Sequence, residues 1–398
     1  MDFSRLIFFL AFFAYSGYYV GLAILHSLGL TSLSRLYSVP LRLLLMGIMI
    51  FIITKSVSNF SNKKKSLVVF AFVLFWAFYF FKVLTTQNVA IDGELMRPWF
   101  EYIFYGVSYV ILPYITFTII DFHKYKEVML NGLIFSGFVL GIFALYTYGG
   151  TLGSDVGRIS YLTYETGEQT LSPLALSYSG SLTMVLCIFK LLVVKGNTKY
   201  QRIYLLATLV LSFIMFLLGS SRGSVVALFL SFLVFLAYSP LKTRIQMLAS
   251  SILAIPVIIW AIEASGSGII SRIENTKEDG GSGRSSIWAD TIEHFMDNMV
   301  FGGRVEIGRE YPHNMILETL MATGLVGSII LFSLLIATFF SSLNLKKGDL
   351  FLFQIFIQGL SLSLFSGSLI GSTLLFLPMG AIIVYKAQTR TSDQLIGA

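Results

Sequence analysis

Of 398 residues, 56% are apolar and only 12% are charged, and the mean hydropathy is +0.79. Soluble domains carry about 25% charged residues, so an ordinary soluble enzyme is excluded. The net charge of +7 sits mainly in short segments between apolar runs. There it sets topology and meets anionic lipid head groups, and no nucleic-acid partner is expected. Cys187 is the only cysteine, so an intrachain disulfide and a cysteine-based metal site are excluded.

Runs of about 20 apolar residues recur from end to end, each long enough to cross a bilayer as a helix. The expected fold is all-α, a polytopic integral membrane protein with about 12 transmembrane helices in a single membrane domain, residues 1–398. The spans fall near 5–28, 41–58, 66–86, 98–120, 128–148, 171–194, 203–219, 223–239, 246–263, 314–341, 350–366 and 368–386. The first run, Leu6 to Leu28, is too long for a signal-peptide core and lacks a small-residue cleavage site, so it reads as a retained span. With the N-terminus inside, the inward segments hold 17 of the 28 basic residues. That bias puts both termini in the cytoplasm.

Two outward segments follow in chain order. Residues 149–170 form a small Gly/Thr-rich loop containing Arg158. Residues 263–313 form a large loop with nine of the 21 acidic residues against five basic ones. Within it, Ile287, Trp288, Ile292, Phe295, Met296 and Met299 recur at helical spacing. They predict an amphipathic helix near 285–299, resting on the outer membrane surface or capping the bundle.

Between Arg202 and Lys242 the only charged residue is Arg222, in "GSSRG" between two spans on the outer side. Alone it could be an arginine snorkelling to lipid phosphate. The functional reading is a guanidinium facing an anionic ligand, whose planar fork grips phosphate oxygens while staying charged. Arg284, in "GSGRSSIW", is either a solvated loop residue or an anion contact at the expected helix start. Arg272 is a similar candidate without the helix start. His313 follows Pro312 at the mouth of the tenth span, where a histidine is either an interfacial anchor or a general base. Asn314 and Glu318 share one face of that helix. A carboxylate one turn into a membrane helix needs a partner, and Arg222 is the first expectation.

No phosphate-loop, nucleophile-elbow or H-E-x-x-H motif occurs, and His26, His123 and His294 are scattered. The expected chemistry therefore uses no metal and no cofactor, its cations being arginine side chains.

"GSSRG", then "GRSSIW…DNMVFGG", then "HNMILETLMATGLVG", in that order, resemble the Wzy-type O-antigen polymerase and O-antigen ligase superfamily. The likeness runs from about Leu205 to Ile336; Met299 stands where the family often has proline, and "GGRVEIG" is a loose version of its Gly-rich turn. The resemblance implies an inverting, metal-independent glycosyltransferase at the periplasmic face of the bacterial inner membrane. Its donor and acceptor would be glycans on undecaprenyl diphosphate. Arg222 and Arg284 would bind diphosphate, and His313 would activate or position the acceptor hydroxyl. Arg272, Asn314 and Glu318 are expected to line the substrate site. The favoured reading is an O-antigen polymerase, with a chain-length regulator as a candidate partner. An O-antigen ligase acting on lipid A-core is the alternative, and a lipid-linked oligosaccharide flippase is the alternative outside the enzymes. Transporters carry ionisable groups near the midplane, whereas these candidates gather at one outer face.

Overall fold

The computed structural model describes residues 2–56, 63–86, 95, 97–153, 171–275, 280–308 and 310–385. Arg158 and most of the small loop, 154–170, lie outside the described residues, as do 276–279 of the large loop and the basic C-terminal residues Lys386 and Arg390. Sixteen α-helices occur among the described residues, and no strand. In chain order they are α1 (Ser4–Phe13), α2 (Ser16–Ser27), α3 (Ser34–Lys55), α4 (Lys63–Thr86), α5 (Trp99–Tyr105), α6 (Leu112–Ile119), α7 (Phe122–Tyr148) and α8 (Pro173–Val193). Then follow α9 (Lys199–Gly219), α10 (Arg222–Tyr238), α11 (Leu241–Ala264), α12 (Ile269–Glu274), α13 (Gly280–Asp297), α14 (Met315–Ser342), α15 (Phe351–Phe365) and α16 (Thr373–Ile383). A π-helical stretch, Gly106–Ile111, joins α5 to α6.

The all-α polytopic expectation is met, and the twelve expected runs differ in helix length. Among the described residues, eight helices are long and apolar enough to cross a membrane, or nine if α1 and α2, bent by 64°, make one broken span. The remaining three apolar runs form α10, α15 and α16, of 17, 15 and 11 residues. α15 and α16 are shorter than the roughly 20 residues a straight crossing needs, while α10 lies at the lower end of the spanning range. In α16 an internal proline, Pro378, removes a backbone donor.

The chain divides into two compact units. The first comprises Met1–Leu41 and Tyr125–Thr276, the second Arg42–Lys124 and Lys277–Ala398. In the first, α8 is buried along most of its length, and small residues let α9 come close to it. A Cβ on Gly180 would stand 2.4 Å from the Ser212 carbonyl oxygen, and one on Gly219 only 2.2 Å from that of Pro173. Leu140, Ala144, Leu176, Met215 and Leu218 fill the adjoining core. By contrast α11 is almost bare, with Leu253 and Trp260 turned outward, as suits a lipid-facing helix.

The second unit has an aromatic core. Phe72, Trp76 and Tyr79 of α4 are fully buried, and Phe72 stacks on Tyr114 of α6 at 3.7 Å. Its longest helix is broken. At Gly324 of α14 the backbone takes φ 59°, ψ −158°, which glycine tolerates and other residues resist. The break frees backbone groups, which would be costly at membrane depth if left unpaired. The segment after α13 pairs with them instead: Leu325 N–H donates to Met299 O at 2.9 Å, Val326 N–H to Val300 O at 3.1 Å, and Gly303 N–H to Met321 O at 2.9 Å. Gly302 (φ 66°) crosses Gly324 so closely that a Cβ on either would lie within 2.6 Å of the other strand's backbone. "MVFGG" and "ATGLVG" are thus two halves of one backbone crossing.

Candidate active site

The residues singled out by the sequence stand at two helix mouths, one in each unit. In the first unit, α9 ends at Ser220, whose backbone is left-handed at φ 43°, ψ 50°. Its Oγ donates to Leu217 O at 2.7 Å and lies 2.7 Å from Ser267 Oγ. Extended Ser221 opens α10, and its N–H donates to Ser177 Oγ at 3.3 Å. Ser177 Oγ is in turn 2.6 Å from Ser224 Oγ. The serines of the motif are therefore explained by the turn they build, and none of these bonds uses the guanidinium of Arg222. Arg222 is the first residue of α10 and is half-buried. The N-terminal end of that helix favours negative charge. Arg272 lies on α12, which packs against α10 through a cluster including Ile269, Ile270, Val225 and Leu228.

The mouth in the second unit is built by α13, residues 298–308 and 310–314, the start of α14, and the turn joining α15 to α16. The amphipathic helix exists but spans Gly280–Asp297, starting before the expected 285 because Gly-Ser-Gly is helical rather than a lead-in. Arg284 consequently sits in the second turn of α13, not at its start. There its Nη1 donates to the carbonyl of Phe365 at the C-terminal end of α15, a favourable place for a cation. Trp288 Nε1 donates to Pro312 O at 2.7 Å, which holds the segment entering α14 against α13.

His313 has a left-handed backbone, φ 51°, unusual for a residue with a Cβ. Its Nδ1 lies 3.3 Å from Ser366 O, and its ring packs on Tyr311 with centroids 4.3 Å apart. A carbonyl only accepts, so this contact assigns the proton to Nδ1 and leaves Nε2 as the basic nitrogen. Burial, and then the neighbouring Arg284 guanidinium, lower the His313 pKa below its ordinary 6.5, partly offset by the Ser366 bond and Glu310. Burial and the guanidinium both disfavour the imidazolium form. Burial and Glu318 push the Tyr311 phenol up to about 12, with Arg97 and Arg284 opposing, so it stays protonated.

Asn314 caps α14: its Oδ1 accepts from the N–H groups of Ile316 and Leu317 at 2.9 and 3.2 Å. Glu318 is buried at 1% exposure. Its oxygens accept from Tyr79 Oη at 2.9 Å and Leu369 N–H at 2.8 Å. The partners that make its burial tolerable thus come from its own unit, and the expected pairing with Arg222 is not needed to account for it. His294 is structural here, its Nε2 accepting from Arg304 N–H at 3.0 Å.

Arg284, His313, Asn314 and Glu318 therefore come together at one mouth, while Arg222 and Arg272 share the other unit's packed α10 and α12. Sequence reasoning missed Tyr311 and Tyr79, and read Trp288 only as an apolar position of the amphipathic helix. "EYPHN", with an aromatic two residues before a histidine, was the available hint for the first.

Residues 207–332 match the family model described as O-antigen ligase. The matched stretch contains Arg222, Arg272, Arg284, His313, Asn314 and Glu318, so it includes residues of both mouths. It supports the Wzy-type O-antigen polymerase and O-antigen ligase superfamily for this part of the chain, and with it a polymerase- or ligase-type function on lipid-linked glycans. A search of the curated proteins finds no match to this chain.

Proposed function

We propose that this protein is an O-antigen polymerase: an inverting, metal-independent glycosyltransferase that joins oligosaccharide repeat units carried on undecaprenyl diphosphate, at the periplasmic face of the inner membrane. One observation carries the reading. The imidazole of His313, with Nδ1 facing the Ser366 carbonyl at 3.3 Å, stands at the mouth of a membrane helix beside the guanidinium of Arg284.

In this scheme the acceptor sugar hydroxyl gives its proton to Nε2 of His313. Its oxygen forms a bond to the donor's anomeric carbon on the face opposite the carrier. The bond from that carbon to the diphosphate oxygen breaks, the electron pair leaves with the diphosphate, and the anomeric centre inverts. Arg284 is assigned to the diphosphate charge that grows in this step, and Arg222, at the start of α10 in the other unit, is assigned to an anionic group of a lipid-linked substrate. A fixed donor aimed at developing charge contributes about 3 kcal/mol to such a transition state. The carrier's hydrocarbon tail stays in the bilayer, the reason for building the chemistry at a helix mouth.

The test is glycan extension in a strain lacking the gene, read as a ladder on a gel. His313→Ala, Arg284→Ala and Arg222→Ala should each abolish the ladder while the protein remains in the membrane. Wild-type ladders from all three would overturn the assignment. The second reading, an O-antigen ligase, is favoured by the description of the matching family. Lipid A-core capped by a single repeat unit in the null strain indicates the polymerase. Bare core with carrier-bound polymer accumulating indicates the ligase.

A further inference from the structure

The catalytic scheme uses His313 and Arg284 but leaves unexplained a fully buried carboxylate one turn below them. Glu318 Oε2 accepts from the N–H of Leu369 at 2.8 Å, and Oε1 accepts from Tyr79 Oη at 2.9 Å. Leu369 begins the short 3-10 turn Leu369–Gly371 between α15 and α16. Three residues earlier the same connection presents Ser366 O to His313 Nδ1, and next to it the Phe365 carbonyl accepts from Arg284. Glu318 and His313 also belong to one continuous stretch, since Asn314 caps α14 and Glu318 N–H donates to Asn314 O at 2.9 Å. The circuit is closed: His313, the capped first turn of α14, Glu318, Leu369, Ser366, and back to the imidazole.

We infer that Glu318 is a positioning residue rather than a contact for substrate, tying the turn that bears the Phe365 and Ser366 carbonyls to the helix that bears His313, and so fixing the tautomer and aim of the imidazole. The inference rests on the reading of His313 as the base. The chemistry suits the task. A carboxylate one turn into a membrane helix is expensive unless both oxygens are engaged, and here each takes one donor. A displacement of about 1 Å at a reacting group costs on the order of a hundredfold in rate, so a tether of this kind bears directly on turnover.

Glutamine at 318 can keep the geometry: its carbonyl accepts from Leu369 N–H and its amide donates to Tyr79 Oη, which reverses its role. Leucine at 318 keeps the bulk and loses both bonds. The experiment measures kcat and KM for glycan extension by the purified full-length protein in lipid nanodiscs, with lipid-linked repeat units as substrate. The folded fraction is set from the thermal transition and the elution profile. Glu318→Leu should lower kcat by about tenfold to a hundredfold with KM within about threefold of wild type. Glu318→Gln should restore most of that loss. Tyr79→Phe, which leaves the Leu369 bond intact, should cost far less than Glu318→Leu. A Glu318→Leu protein with wild-type kcat overturns the inference, as does one whose loss lies in KM, which would mark a substrate contact. Glutamine as poor as leucine overturns it too, because charge rather than hydrogen-bond geometry would then matter. Active His313→Ala and Arg284→Ala proteins would sink the reading beneath it. Inactive ones beside an unaffected Glu318→Leu sink only the role of Glu318.

Discussion

Ser220 and His313 are the two non-glycine residues with positive φ among the described residues, at 43° and 51°, and each stands just before a helix start. Such a backbone costs on the order of 1–2 kcal/mol for a residue with a Cβ. At the first mouth the strained side chain serves the fold: Ser220 Oγ bonds Leu217 O and Ser267 Oγ, and the turn around it is a network of hydroxyls. Nothing in that network titrates near neutrality, and Arg222 contributes a permanent charge. At the second mouth the strained residue is itself the titratable group, aimed by a carbonyl and flanked by Tyr311 and Arg284. In the proposed scheme the same backbone conformation precedes the helix that carries Arg222 in one unit and aims the proposed base in the other.

Glycine at each position tests that contrast most strongly, since it relieves the backbone and deletes the side chain. His313→Gly should lower extension by about 10²- to 10⁴-fold while the thermal transition holds or rises. Ser220→Gly should leave activity within about threefold, because strain relief offsets the lost hydroxyl bonds. A reversal of the two outcomes would break the comparison. The sign of the pH dependence follows from the same site. Burial and Arg284 disfavour the imidazolium, so the base is deprotonated down to a pH lower than usual. Activity should rise with pH through a midpoint below 6.5 and then level off. A midpoint above 6.5 would remove His313 as the base.

The arginines come next. Arg284→Ala should lower kcat by about 10²- to 10³-fold. Lysine at either Arg284 or Arg222 should recover only part of the loss, because the planar fork is gone. If Arg222→Lys were fully active while Arg284→Lys were not, Arg222 would be a plain point charge and the likeness between the two seats would end there.

Much of this was legible in the sequence, first for a physical reason: in a chain with 12% charged residues, a charge inside an apolar stretch has to be accounted for. Arg222 and Glu318 stood out on that ground, Arg284 and His313 by their places at expected helix starts, and the long apolar runs by their hydropathy. Hydropathy, however, reports apolarity and not backbone continuity. The break at Gly324 lies in an uninterrupted apolar run and is repaired by carbonyls of Met299 and Val300, so nothing local marks it. The Phe365 and Ser366 carbonyls that orient Arg284 and His313 are main-chain atoms with no residue signature. Tyr79, the partner of Glu318, was hidden in the aromatic run "FWAFYFF", where a phenol reads as one more apolar ring.

The backbone crossing that supports the second mouth can be attacked alone. Gly302→Ala or Gly324→Ala would force a Cβ to within 2.6 Å of backbone atoms at a positive φ. Strain of about 1–2 kcal/mol plus the clash should lower the thermal transition clearly. Serine in place of Gly29, which also has positive φ but open space around it, should lower it less. Equal effects at all three would mean that only φ matters and that the crossing is not tightly packed.

The smallest effect separates two roles for Asn314, which the sequence placed among the substrate contacts and the structure places as the cap of α14. Its Oδ1 already accepts from two backbone N–H groups, at 2.9 and 3.2 Å. Serine caps a helix about as well as asparagine, whereas alanine loses about 1 kcal/mol. If capping is the role, Asn314→Ser should match wild type in both the thermal transition and kcat. Asn314→Ala should then show a small stability loss, and a rate loss only to the extent that the first turn of α14 loosens beneath His313. A stable Asn314→Ser protein with a raised KM would instead show the side-chain amide meeting the glycan, and would move Asn314 from the frame of the site into its surface.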